Sequence, residues 1–521
     1  MTQGNETKHS EETYDIAIVG GGINGCGIAA DASGRDQKVF LCEQGDIGSG
    51  TSSMSSKLIH GGLRYLEHYE FRLVREALAE REVLLAKAPN LVSPLKFTLP
   101  HRPHLRPAWM IRSGLFLYDH LSKRNSLPSA KLIDLEQGGL FHPFIKKGFE
   151  YYDCWVDDAR LVVANALDAE QRGANIQVRT RCIGIQFDSA AKIWRIRCEN
   201  LLSGELYEVT AKHVINAAGP WLNALMEQYV PDIKPSRKIR LIKGSHIVVP
   251  RVAGGDSAFI LQNEDKRIVF VLPYQKSYSL IGTTDKEYHG DLNNVQIDKD
   301  ELDYLLDVYN QHFTEQLSES DVVSSYSGVR PLCDDESGDP SAITRDYTID
   351  VTAQTPSNAF ISIYGGKITT YRKLAKAVMH ELKTYIPDLK PSWTRYSPLP
   401  GCNVLNEPPS VIQQLIQKRY SFLPTFVAER YARSYGHLSE IFLDGKQDLE
   451  ALGQHFGHGL YEAEVDYLIA CEWVRESGDV LKRRTKLGLE YSKEEEAVLS
   501  DYILQRVSTL LSEPKLAAET A

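Results

Sequence analysis

Residues 14–43 read YDIAIVGGGINGCGIAADASGRDQKVFLCE. The apolar run Tyr14–Val19 suits a buried parallel strand. It enters Gly20-Gly21-Gly22-Ile23-Asn24-Gly25, which matches G-x-G-x-x-G. A helical stretch, Ile28 to Ser33, follows and stops at Gly34, and a second apolar run, Val39 to Cys42, ends on Glu43. Strand, glycine turn, helix, strand and terminal acid together make a βαβ dinucleotide-binding unit. Gly20 permits the tight turn, Gly22 lets backbone approach a pyrophosphate, and Gly25 lets helix and strand pack closely. The helix N-terminus offers unpaired N–H groups to phosphate. Glu43 stands where a carboxylate accepts hydrogen bonds from ribose hydroxyls.

The 521 residues are enough for two to four domains. Apolar content of 42% and charged content of 25% describe an ordinary globular chain. A net charge of −10 disfavours global binding to nucleic acid. The eight cysteines are scattered, without C-x-x-C pairs or zinc-like spacing, so no metal site is expected. The polar start MTQGNETKHSEET has no signal-like apolar stretch, which implies reduced thiols in the cytoplasm. No run of 18 apolar residues suits a membrane span, although lying on a membrane surface stays open.

Organisation follows from composition. Residues 1–13 read as a disordered tail, and 514–521 as another. Residues 70–90 have helical periodicity, and 91–150 are richer in proline and basic residues. At Lys212–Pro220, KHVINAAGP is an apolar strand running into small residues and Gly219. After an N-terminal glycine unit, this second glycine signal supports a flavin nucleotide. Residues 238–285 alternate as antiparallel strands, and 405–513 are almost wholly helical beyond a break at Ser397–Gly401.

The chain closely resembles the bacterial, respiratory FAD-dependent glycerol-3-phosphate dehydrogenases from about residue 14 to 505. The resemblance is carried by Gly20–Asp31 (GGGINGCGIAAD), Thr51–Leu66 (TSSMSSKLIHGGLRYL), Ile239–Pro250 (IRLIKGSHIVVP), Ser327–Glu336 (SGVRPLCDDE), Gly365–Leu374 (GGKITTYRKL) and Glu472–Gly488 (EWVRESGDVLKRRTKLG). It implies an α/β fold of the D-amino-acid and glycine oxidase type. The expected divisions are a discontinuous Rossmann-like FAD-binding domain (14–90, 151–235 and 340–390), an antiparallel-sheet substrate domain (91–150 and 236–339) and a C-terminal helical cap (400–513). It also implies oxidation of sn-glycerol 3-phosphate to dihydroxyacetone phosphate. FAD is the cofactor, a membrane quinone the acceptor, and a homodimer on the inner face of the cell membrane the expected assembly.

Such chemistry needs a phosphate anchor, a hydride path to the flavin and a base for the C2 hydroxyl proton. Arginine suits a tetrahedral oxyanion. Arg64, Arg330, Arg345 and Lys367 are the cations inside apolar or glycine-rich motifs, and each alone also reads as a surface ion-pair residue. The resemblance places all four, with Tyr65, in the substrate pocket. The expectation is Arg330 and Arg345 on phosphate, with Arg64 and Lys367 nearer the hydroxyls. His246, interrupting an apolar strand, is the preferred base. The alternatives are a core histidine, or Lys367 and Arg330 stabilising an alkoxide.

The run Thr51-Ser52-Ser53-Met54-Ser55-Ser56 reads as a loop passing the flavin or as a helix N-cap. The expected cofactor contacts are Gly20, Gly22, Asn24, Gly25, Glu43, Thr51, Ser52, Ser53, Ser56, Gly61, Gly62, Gly219, Gly366, Lys367 and Thr369. Residues 101–124 interleave five Lys/Arg and three His with Trp109, Phe116 and Tyr118. That composition fits an anionic bilayer surface or a buried strip of the substrate domain. Lys482, Arg483, Arg484 and Lys486 form a second basic cluster, open to the same membrane reading or to a solvated helix face. Two other functions stay open: an oxidase or amine oxidase of the same fold, and a flavin-bearing docking protein.

Overall fold

The computed structural model describes residues 8–102, 104–105, 107–122, 127–254, 256–265, 267–333 and 346–512. Two large sheets and a helical C-terminal region organise them.

The first sheet has the strand order Thr348–Thr355, Asn358–Tyr364, Leu206–Asn216, Lys8–Val19, Val39–Cys42 and Asn175–Gln177. From Asn358–Tyr364 to Asn175–Gln177 each neighbour runs parallel to the next. The strands Thr180–Asp188 and Ile193–Asn200 add an antiparallel meander against Leu206–Asn216. The helices Ile23–Ser33, Asp158–Glu170 and Tyr371–Leu382 bury one core, to which Ile16, Ile18, Leu41, Ile215 and Ile361 contribute. The first helix packs tightly because Gly27 has no Cβ: an added one would lie 2.6 Å from the Tyr371 ring.

Among the described residues the second sheet has ten strands. Its long member Ile239–Pro250 pairs antiparallel with Ser324–Cys333 on one side and Tyr278–Gly282 on the other. It extends through Ile268–Tyr274 and Ala258–Gln262 to Val92–Pro100, Lys147–Val156 and Leu58–Ile59.

Beyond residue 400 the helices Pro409–Arg419, Thr425–Ser434, Glu462–Cys471 and Lys493–Ser512 enclose their own core of Ile412, Val427, Tyr431, Leu468, Leu499 and Ile503. A π-helical turn, Asp479–Arg484, lies between the last two. Among the described residues no helix is long and apolar enough to cross a membrane.

Three expectations are corrected here. Residues 8–13 are not tail: His9 and Thr13 register with Glu208 and Thr210, because the neighbouring strand is long enough to pair them. A boundary at 150/151 cuts the strand Lys147–Val156, which lies wholly in the second sheet. Apart from exposed Lys482, the basic cluster near the C-terminus is not a solvated or membrane-facing strip. Arg484 and Lys486 are buried, and Arg483, Arg484 and Lys486 pair with Asp46, Asp479 and Asp157.

Candidate active site

Parallel strands gather functional groups at their carboxyl ends. Val19 leads into Gly20, Cys42 into Glu43, Asn216 into Ala217–Gly219, and Tyr364 into Gly365 and Gly366. All of these ends except Asn216 and Tyr364 line one cavity of about 1080 Å³, whose far wall is the second sheet.

The nucleotide end is built on the glycine turn. Gly20 has φ +112°, and a Cβ there would lie 2.6 Å from the Ala217 carbonyl oxygen. Gly25 does not reach the cavity. Its missing Cβ would sit 1.9 Å from the Gly20 oxygen, so its role is the close packing of helix on strand. Glu43 accepts the Gly21 and Gly45 N–H groups at 2.7 Å, one on each carboxylate oxygen. Burial pushes its pKa up while those two N–H donors oppose the shift. Asn24 donates to the Gly365 carbonyl at 3.0 Å, and its buried Oδ1 has no partner among the described residues.

The serine loop forms a side wall. Thr51, Ser52 and Ser56 line the cavity. Thr51 donates to the Val329 carbonyl at 2.6 Å, and Ser52 accepts the Ile23 N–H at 3.0 Å, so the loop also caps the first helix. Ser53 is buried behind the wall and does not line the cavity. The loop is anchored there by buried Lys57, which donates to the Ser53 carbonyl at 3.1 Å and to Asp158 at 2.9 and 3.0 Å. Gly61 is likewise off the cavity. It donates to the Tyr118 hydroxyl at 2.8 Å, and a Cβ there would meet Leu78 at 2.6 Å.

The opposite end carries the cations. Arg330 and Lys367 line the cavity with Tyr65, Gly62, Gly219, Gly366 and Thr369. Arg330 donates to Thr283 Oγ1 at 3.0 Å and pairs with Asp285. Gly244 makes room for it, since a Cβ would stand 2.6 Å from Arg330 Nη2. Lys367 Nζ sits 3.8 Å from the centre of the Tyr65 ring, a cation–π contact. The Arg64 backbone belongs to the turn Leu63–His68 that carries Tyr65, and Arg345 lies outside the described residues.

His246 is not on the cavity surface. It is 1% exposed, stacked on Tyr326 at 4.8 Å, and bonded through Nε2 to Ser56 Oγ at 2.9 Å. Burial, with Arg330 and Lys57 nearby, holds its pKa well below the usual imidazole range. Gly244, two residues earlier on the same face of the strand, lines the cavity, and Ser56 stands between His246 and that space. His60 is the histidine that lines the cavity, and its N–H meets Thr369 Oγ1 at 3.4 Å. It falls inside the Thr51–Leu66 motif, and the sequence reading gave it no role. Its one sequence signal was the following Gly61-Gly62 turn.

Residues 15–372 match the FAD dependent oxidoreductase family, and 392–512 match the C-terminal domain of alpha-glycerophosphate oxidase. The chain belongs to this FAD-dependent family. It is 52% identical over 492 residues to a glycerol-3-phosphate dehydrogenase of Pseudomonas aeruginosa, covering 94% of this chain and 95% of that one. It is 50% identical over 501 residues to the aerobic glycerol-3-phosphate dehydrogenase of Escherichia coli, covering 96% and 99%. A D-erythritol 1-phosphate dehydrogenase of Brucella abortus is 46% identical over 494 residues, covering 94% and 98%. A Bacillus halodurans glycerol-3-phosphate dehydrogenase structure with FAD superposes with a TM-score of 0.74 at 24% identity, covering 98% and 97%, and shares the fold.

FAD is therefore the cofactor of this FAD-dependent oxidoreductase, and the residues fit it. The glycine turn and Glu43 suit the pyrophosphate and ribose, and Asn24 Oδ1 is a buried acceptor awaiting a donor. The wall of Thr51, Ser52, Ser56, Gly366 and Thr369 suits a flat polar ring system.

Proposed function

We propose that this chain oxidises sn-glycerol 3-phosphate to dihydroxyacetone phosphate and passes the electrons to a membrane quinone. The observation that carries the reading is the meeting of Arg330, Lys367 and His60 in the cavity that begins at the dinucleotide turn. FAD, when bound, supplies the two-electron acceptor for the C2 hydrogen.

The chain's own residues do the rest. Arg330 holds the phosphate with the donors that Thr283 and Asp285 leave over, since a guanidinium has five N–H groups. By the resemblance Arg345 joins it on the phosphate, and Arg64 stands nearer the hydroxyls. Lys367, fixed over Tyr65, stabilises negative charge developing on the C2 oxygen. His60 takes the hydroxyl proton, because it is an imidazole on the cavity wall. Ser56 presents its hydroxyl to the same space, oriented from behind by His246.

The acceptor reading rests on the helix Ala108–His120. Its Ile111, Leu115 and Tyr118 are buried, whereas Trp109 (68% exposed), Met110, Phe116 (62% exposed) and Leu117 face outward beside Arg112. An outward apolar face with a basic residue suits shallow insertion into an anionic bilayer. A homodimer attached to the inner face of the cell membrane completes the reading.

The relative named for D-erythritol 1-phosphate favours one second reading, a longer polyol phosphate as substrate. One experiment separates the two. Anaerobic protein is mixed with each compound, and flavin absorbance near ~450 nm is followed. Bleaching by glycerol 3-phosphate, with recovery on adding a quinone analogue, supports the proposal. Bleaching by erythritol 1-phosphate alone moves the substrate to the longer polyol. Peroxide release on reoxidation by air, with no response to quinone, makes the enzyme an oxidase.

A further inference from the structure

The C-terminal helical region reaches the nucleotide end of the cavity through buried ion pairs. Arg484 donates from Nη1 and Nη2 to the two oxygens of Asp46, at 2.6 and 2.8 Å, and Arg483 Nε donates to the same carboxylate at 2.5 Å. Asp46 and Arg484 are wholly buried. Asp46 lies three residues after Glu43 in the loop 43–50. Within that loop Gly48 donates to the Gly21 carbonyl at 2.9 Å and Gly45 donates to Glu43. The loop is thus tied on one side to the glycine turn and on the other to the helical region.

A second arm reaches the same place. Asp479 accepts Arg179 Nη2 at 2.9 Å, and the Arg179 N–H donates to the Gly45 carbonyl at 3.0 Å. The next residues, Thr180 and Arg181, line the cavity beside Glu43, Gln44 and Gly45, with the Thr180 N–H donating to the Glu43 carbonyl at 2.8 Å. Asp479, Arg483 and Arg484 all come from the π-helical turn, whose Thr485 N–H bonds back to Val480 five residues earlier at 2.9 Å. Single π turns of this kind recur at functional sites. The turn is itself held from below: Arg484 donates to the Glu472 carbonyl at 2.6 Å, and Glu472 pairs with buried Arg160 of the helix Asp158–Glu170.

We propose that the C-terminal region is a clamp on the cofactor: Arg484 and Asp479 are positioning residues that hold loop 43–50 and the turn before Thr180 in the shape that grips the adenosine half of FAD. The charge arrangement accords with this. Burial and the neighbouring Asp46 push the Glu43 pKa up, whereas the two arginines hold that of Asp46 down against its own burial. Solvent-exposed pairing would carry no such weight, whereas a fully buried bidentate pair leaves an uncompensated charge when one partner goes.

The test measures FAD affinity of apoprotein by flavin fluorescence, with thermal unfolding of apo and holo forms. Arg484→Gln is expected to weaken FAD binding about tenfold or more and to narrow the gap between apo and holo Tm. At saturating FAD the KM for the polyol phosphate stays as in the parent. The double variant D46N/R484Q removes both charges, so it recovers apo stability while FAD affinity stays low. FAD affinity equal to the parent in either folded variant overturns the proposal, because a purely structural pair would lower apo and holo Tm alike. Should neither fold, Arg483→Gln, which keeps the Arg484 pair, is read in the same way.

Discussion

Ser56 Oγ and His246 Nε2 lie 2.9 Å apart across the cavity wall, with the hydroxyl on the cavity side and the imidazole buried behind it. His246 Nδ1 is buried without a partner among the described residues, and burial, with Arg330 and Lys57 nearby, holds the ring's pKa well below the usual imidazole range, which favours the neutral form. A bare lone pair is the less costly atom to leave unpaired, so the surroundings assign the proton to Nε2. His246 then donates to Ser56, and Ser56 turns its own O–H toward the cavity. The imidazole orients a donor rather than accepting a proton.

This arrangement separates two histidines kinetically. His246→Gln keeps a donor behind Ser56 and is expected to retain the acidic limb of the pH–rate profile, with kcat lowered less than tenfold. His60→Ala is expected to lower kcat by about 10²–10⁴ and to abolish that limb, as loss of a general base does. The reverse pattern in the two pH–rate profiles returns the base to His246.

The same burial gives a stability signature. A histidine whose folded pKa is depressed stays neutral while the unfolded chain protonates below ~6.5, so its contribution is present above that pH and lost as pH falls. His246→Gln removes this group. The parent should therefore lose about 1.4 kcal/mol per pH unit relative to the variant below pH 6.5. Urea unfolding of both proteins at pH 7.5, 6.5 and 5.5 checks it, and parallel curves would refute it.

Arg330 is held by Thr283 and Asp285 in the space that Gly244 leaves open. Replacing it with alanine removes charge-assisted hydrogen bonds worth roughly 1.5–3 kcal/mol, so KM should rise about 10- to 100-fold. Steady-state kinetics test this, and an unchanged KM removes Arg330 from the phosphate site. Gly244→Ala should reproduce part of the loss by pushing the guanidinium aside.

Gly25→Ala would place a methyl group 1.9 Å from the Gly20 oxygen. Helix and strand must then separate at the nucleotide turn, with a cost of at least ~3 kcal/mol. The protein is expected to lose FAD on gel filtration and to unfold at a lower Tm. A holo variant of parental Tm would show that this packing tolerates a methyl group.

The double variant W109S/F116S removes two large exposed apolar side chains from the helix Ala108–His120. At ~1.5–3 kcal/mol for each inserted side chain, partition onto anionic vesicles should fall more than tenfold. Reduction of the flavin by substrate in solution should be unchanged. Sedimentation with vesicles measures the first and stopped-flow absorbance the second. Equal sedimentation of parent and variant moves the membrane surface elsewhere.

The local chemistry of the cofactor site was legible in the chain. The glycine turn, Glu43 and the glycine ends of later strands announce themselves because tight turns and close backbone approach demand glycine at fixed spacing from an apolar strand. The resemblance added Arg330 and Lys367. Sequence could not tell Thr51, Ser52 and Ser56, which line the cavity, from Ser53, which is buried. Nor could it tell His60 from His246, because the facing of a strand or loop residue depends on what packs against it.

Sequence by itself determined the βαβ unit, since its periodicity and glycines act over neighbours in the chain. Tertiary structure alone decided where distant charges meet. Arg484 and Asp46 stand 438 residues apart and are wholly buried against one another, yet in the sequence Arg484 is one of a run of basic residues indistinguishable from a solvated face. A charge has no preferred partner until folding removes water from around it. Only then does the nearest opposite charge become the condition for burying either one.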